Sequence, residues 1–123
     1  MRIFIPNQRL REKVINHLEI AFDTEDVDDL RAAAKLVPDY YRITCPINAR
    51  FRRKLWKRTH AGLTFEDGAV YMLHPATWKA EGRPRKTWVH TALHEFGHVV
   101  LWADGETKAD LFADRWYGQK VRR

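Results

Sequence analysis

The stretch His94-Glu95-Phe96-Gly97-His98 sets two imidazoles four residues apart, with a carboxylate directly after the first. On a helix, positions i and i+4 lie one above the other on the same face, so both rings can bind one metal ion. Glu95 is turned by about 100° from His94 at 3.6 residues per turn. From there its carboxylate reaches a water at the metal without taking that water's place, which suits a general base. Two histidines are not enough, because a catalytic centre needs a third protein ligand and an open position. Downstream, Glu106-Thr107-Lys108-Ala109-Asp110 again offers two carboxylates four residues apart. Glu106 can complete the ligand set, and Asp110 can accept the free ring N–H of a ligand histidine and fix its tautomer.

These residues need a helix with one apolar side. Val89, Leu93, Phe96, Val100 and Ala103 recur at spacings of four, three, four and three. The pattern predicts a helix from about Arg85 to Ala103. His90, Thr91, His94 and His98 fall nearly opposite that stripe, so they are expected to face a cleft. Gly97 sits mid-helix, where glycine costs about 1 kcal/mol against alanine, and it implies a packing reason. Asp104-Gly105 makes an exit, with Gly105 suited to a left-handed cap. A last helix is expected from about Thr107 to Tyr117, ending at Gly118, with Ala109 and Ala113 small enough for close helix approach.

Upstream, Ala61–Phe65 and Ala69–Leu73 read as the arms of a hairpin around Glu66-Asp67-Gly68. His74-Pro75 stops the second arm, and residues 76–85 are expected to form a loop. Leu10, Val14, Leu18 and Ala21 predict a first helix over about Asn7–Phe22, capped by Asn7. Val27, Leu30, Ala34 and Val37 predict a second over Thr24–Val37, capped by Thr24 and ended by Pro38. Tyr40–Thr44 is β-prone, and Ile47–Arg58 reads as a strand or an irregular segment. The result is an α+β chain with one domain over residues 1–123.

Composition narrows the class. Hydrophobic residues make up 45% of the chain, enough for a core, which excludes a disordered chain. No apolar run approaches the ~18 residues of a membrane span. The start, Met1–Pro6, is too short in apolar residues for a signal peptide, and Cys45 is the single cysteine. A cytoplasmic protein is therefore expected. The net charge of +6 is uneven. Arg50, Arg52, Arg53, Lys54, Lys57 and Arg58 form a basic block that suits nucleic acid, although such runs are more often solvated faces. Nothing in the sequence specifies an oligomeric state.

The combination of His94-Glu95-x-x-His98 with Glu106-x-x-Ala109-Asp110 resembles the gluzincin group of zinc peptidases. It is similar in context to the ImmA/IrrE-like and minigluzincin peptidases and to the cores of membrane-embedded ones. A strand followed by the metal helix is also the order in SprT-like proteases. The resemblance covers about residues 69–114. It implies a minimal zincin-like domain: N-terminal helices, a small mainly antiparallel sheet, an active-site helix and a C-terminal helix. It further implies Zn2+ on His94, His98 and Glu106, and hydrolysis of peptide bonds with Glu95 as general base and then acid. Val70–Leu73 would form the rim strand that pairs with an extended substrate. One departure is the seven residues between His98 and Glu106, fewer than most gluzincins have. Asp104 stands at the spacing of the third ligand in metzincin-like sites. Those sites turn the chain on a glycine three residues after the second histidine, and Leu101 is there instead, which favours Glu106.

Tyr117, His90 and Tyr71 are candidates for an oxyanion donor or for the cleft wall, the simpler roles being packing for the two tyrosines and a polar helix position for His90. Trp78 and Trp88 are further candidates to line the cleft. Two alternatives to a general metalloendopeptidase stand beside it. One is a DNA-associated or repressor-cleaving protease of SprT or ImmA type, and the other a non-enzymatic basic module with a structural zinc.

Overall fold

Asn7 opens the first helix by accepting the Leu10 N–H on its side-chain oxygen at 3.0 Å. Helix α1 runs Gln8–Thr24, and its stripe of Val14, Leu18 and Ala21 is fully buried. The computed structural model describes residues 4–54, 61–101 and 106–118.

Thr24 ends α1 rather than starting the next helix, its hydroxyl donating back to the Ile20 carbonyl at 2.7 Å. The chain turns through Glu25, at φ 58°, and Asp26 caps α2 by accepting the Asp28 N–H at 2.8 Å. Helix α2 spans Val27–Tyr41, so Pro38 does not stop it. A proline there gives up an N–H bond to the Ala34 carbonyl and crowds that carbonyl, at a cost of about 3 kcal/mol. The last turn is held from outside: the Tyr41 ring packs 5.9 Å from Phe112 and 6.3 Å from Trp116. The Trp116 Nε1–H donates to the Tyr41 hydroxyl at 3.0 Å. Tertiary packing thus overrides both the proline and the β-propensity of Tyr40–Thr44, which is not a strand. The helix closes at Arg42, φ 55°, where the Ile43 N–H bonds the Pro38 carbonyl.

Three strands follow: β1 Asn48–Arg52, β2 Gly62–Thr64 and β3 Ala69–Leu73. The hairpin is as the turn residues dictate, with Gly68 at φ 90° and Thr64 opposite Val70. The sheet is mixed rather than mainly antiparallel. Strand β1 lies parallel to β3, Asn48 beside Ala69 and Arg52 beside Leu73, which leaves β3 in the middle of the order β1-β3-β2. Strand β1 follows α2 after a short connection over residues 42–47, and α2 packs on it.

Residues 76–85 are not all loop. His74 caps a short helix, α3 Pro75–Ala80, by accepting the Ala76 N–H on Nδ1 at 3.0 Å. Proline at the first helical position suits this start. Trp78 and Trp88 are core residues rather than cleft lining, their indole N–H groups bonded to the Pro84 and Leu73 carbonyls.

Helix α4, Arg85–Leu101, runs through the centre, between the sheet, α1 and α5. Val89, Leu93 and Phe96 have no exposure. The opposite side is also covered, His90 and His94 being 1% and 2% exposed. Helix α5, Glu106–Tyr117, lies on that side, so most of the expected histidine face is an interhelical seam and not an open cleft. Gly97 lets the two helices meet: a Cβ there would stand 2.9 Å from a Phe112 ring carbon.

Candidate metal centre

Helices α4 and α5 run antiparallel, and each carries functional groups at four-residue intervals. His90, His94 and His98 on α4 face Asp114, Asp110 and Glu106 on α5. His90 Nε2 is 2.7 Å from Asp114 Oδ1, and His94 Nδ1 is 2.7 Å from Asp110 Oδ1. At the end of the seam, Glu106 Oε2 is 2.8 Å from His94 Nε2, and Oε1 is 3.3 Å from His98 Nε2. Four residues advance a helix by about 6 Å, which keeps the two series in step along an antiparallel pair.

At the Glu106 end the geometry fits a cation. The ligand atoms of His94, His98 and Glu106 all lie within 4.8 Å of one another. The two Nε2 atoms are 3.1 Å apart. Tetrahedral zinc with bonds of 2.0–2.2 Å would separate its ligand atoms by about 3.3 Å. The Asp110 carboxylate accepts the His94 Nδ1–H, which turns the Nε2 lone pair toward His98 and Glu106. Two imidazole lone pairs and a carboxylate converging on one point are a donor set that a divalent cation satisfies. His94 is buried whereas the Glu106 side chain is 73% exposed, so the group has one wall in the core and one side toward solvent.

Glu95 stands beside this group. Its Oε2 is 4.0 Å from His94 Nε2, and its Oε1 accepts the Thr64 hydroxyl at 2.7 Å. Glu95 is 7% exposed, and its carboxylate lies between α4 and the edge strand β2. Among the described residues, no fourth side chain joins the three-ligand group.

No family model matches the chain, and no curated protein or solved structure matches it.

The remaining candidates separate. His90 is held by Asp114, one turn of α4 away from the three-ligand group. Tyr117 packs 6.5 Å from the His90 ring, at the far end of α5. It is eleven residues from Glu106, roughly 16 Å along the helix axis, so it stands away from the three-residue group. Tyr71 lies on the sheet face turned away from α4, where it is stacked under the Arg52 guanidinium at 4.5 Å. Its neighbours Val70 and Met72 take the inner face, as strand alternation requires. Asp104, Gly105 and His60 lie outside the described residues, as do Lys57 and Arg58 of the basic block.

Three residues that shape the site were not singled out from the sequence. Asp114 continues the four-residue series of Glu106 and Asp110, and that spacing was a readable signal. Thr64 and Gly62 carry no local signal, since only the packing of β2 on α4 brings them to Glu95.

Proposed function

We propose that the chain is a zinc-dependent metalloendopeptidase of gluzincin type. The observation that carries the reading is the convergence of His94, His98 and Glu106 with Glu95 at its edge and Asp110 behind His94. His94 and His98 would hold the cation through Nε2 and Glu106 through its carboxylate. The bound zinc would supply Lewis-acid activation of water and of a peptide carbonyl. Asp110 keeps the His94 ring in the tautomer and orientation that a ligand needs. Glu95 takes the water's proton and delivers it to the leaving amine. The three-ligand set is the composition of a catalytic centre, whereas a structural zinc normally uses four.

The strand that would receive an extended peptide is β2. Strand β3 is flanked by β1 and β2, so the expected rim of Val70–Leu73 is already paired on both sides. Among the described residues, strand β2 lies at the sheet edge beside Glu95, the position at which an added strand would pair.

Fluorogenic casein, with the zinc-loaded chain, tests the reading. The wild type is expected to cleave it, and Glu95→Gln to lower the rate by at least about 100-fold while keeping its zinc. Cleavage by Glu95→Gln at the wild-type rate would remove Glu95 from the reaction.

The DNA-associated variant of this reading has one support. Arg50 and Arg52 are exposed on the outer sheet face, and Arg53 and Lys54 continue the exposed run. Phosphate contacts there predict binding that weakens steeply with salt. Absence of binding to single- or double-stranded DNA at low salt would dismiss this variant.

A further inference from the structure

We propose that Thr64 and Gly62 of the edge strand are positioning residues for Glu95. They lock one carboxylate oxygen so that the other faces the three-ligand group. The inference rests on the peptidase reading for its consequence in catalysis, and on geometry alone for the positioning itself.

Glu95 is a flexible side chain on a helix, and a carboxylate can turn either oxygen toward the metal ligands or away from them. Several observations limit that freedom. The Thr64 hydroxyl lies 2.7 Å from Oε1 and 3.2 Å from the Glu95 main-chain carbonyl. A hydroxyl has one proton, and the shorter contact to the carboxylate is the stronger acceptor. Oε1 is therefore tied to the strand, and Oε2 is the oxygen left on the His94 side, 4.0 Å from Nε2. Gly62 makes room for the arrangement. A Cβ at Gly62 would lie 2.8 Å from Glu95 Cγ and 3.1 Å from Met72 Sδ. The methylenes of Glu95 thus occupy the space that any side chain at position 62 would fill. Residues 62 and 64 point to the same side of β2, as strand alternation requires, and Glu95 sits across both.

This places the general base under the control of the strand proposed to bind substrate. A peptide adding to the β2 edge would dock on the element that sets the Glu95 conformer. Misplacing a reacting group by about 1 Å can cost roughly 100-fold in rate. Thr64 does not touch the reacting atoms, so it acts through Glu95.

The test compares wild type with Thr64→Val, Thr64→Ser and Gly62→Ala, each full length and loaded with zinc. Three quantities are read: zinc affinity by chelator competition, the Glu95 conformer in crystal structures, and kcat and KM on fluorogenic casein. Thr64→Val keeps the side-chain shape and removes the hydroxyl. It should bind zinc as wild type does, show Glu95 Oε1 released from position 64, and lose about 10- to 100-fold in kcat with KM within about twofold. Thr64→Ser should restore both conformer and kcat, which a merely structural role would not require. Gly62→Ala should displace Glu95 and lower kcat in the same way. An unchanged Glu95 conformer and kcat in Thr64→Val, or a Thr64→Ser as impaired as Thr64→Val, would overturn the proposal. If wild type cleaves no casein, the peptidase reading falls, and the crystallographic conformers then decide the positioning claim by themselves.

Discussion

His90 Nε2 meets Asp114 Oδ1 across the α4–α5 seam at 2.7 Å, the same separation at which His94 Nδ1 meets Asp110 Oδ1. The two pairs look alike but differ in what they support. His94 goes on to Glu106 and His98, whereas His90 lies one turn back against Tyr117. Asp114→Ala should therefore cost stability and not metal. A buried histidine deprived of its carboxylate should lose about 1–3 kcal/mol in urea unfolding. Zinc affinity should stay at the wild-type value, and a loss of zinc would place His90 among the metal-supporting groups.

Asp110→Ala should do the reverse. Without the acceptor on Nδ1, the His94 tautomer and ring orientation are no longer fixed. Zinc affinity should fall by about 10- to 100-fold in chelator competition. Because the Asp110 side chain is half exposed, the fold should be little affected. Unchanged zinc affinity would mean that Asp110 does not support the ligand.

Much of this was legible in the sequence, for reasons that particular residues make clear. Asn7, the Gly68 turn and the Gly118 terminus work through local backbone chemistry, so their elements emerged where expected. His94, His98, Glu106 and Asp110 follow helical spacing, which survives whatever the helices pack against. The failures lie where distant groups decide. Pro38 is carried inside α2 by contacts from Tyr41 to Phe112 and Trp116, which no local rule contains. Strand β1, with α2 packed on it, joins β3 in parallel, and this pairing converts the expected rim strand into the central one. The histidine face read as an open cleft because the seam with α5 is polar, and a polar stripe looks the same against water or against carboxylates.

Gly97→Ala should destabilise the chain although alanine is the better helix former. Helix propensity favours alanine by about 1 kcal/mol. The new methyl, however, would lie 2.9 Å from the Phe112 ring, with further Phe112 atoms at 3.1 and 3.2 Å. Overpacking of this kind costs about 1–3 kcal/mol and would wedge α5 away from α4. A lower denaturation midpoint together with weaker zinc binding is expected, since His94, His98 and Glu106 straddle that seam. A more stable variant would show that the seam has slack.

The stability of the fold should also fall as His74 is protonated. Burial first, and then the Arg53 charge, hold its pKa below the ordinary 6.5, partly opposed by Glu25. Its Nδ1 accepts the Ala76 N–H that caps α3, a role only the unprotonated ring can fill. A histidine with a depressed folded pKa adds stability that is fully present above the unfolded value of 6.5. That stability is lost as pH falls below it. His74→Asn keeps a capping oxygen and removes the titration. Between pH 7 and 5 the wild type should lose more stability than His74→Asn, and equal losses would exclude His74 as the cause.

The metal itself is the most direct test. Equilibrium dialysis against zinc, followed by X-ray absorption at the zinc edge, reads stoichiometry and ligand type together. The account predicts one zinc per chain, with two imidazole nitrogens and only oxygen donors besides, and its loss in His94→Ala and His98→Ala. A chain that retains no stoichiometric zinc, or a zinc held by the Cys45 sulfur, would contradict it.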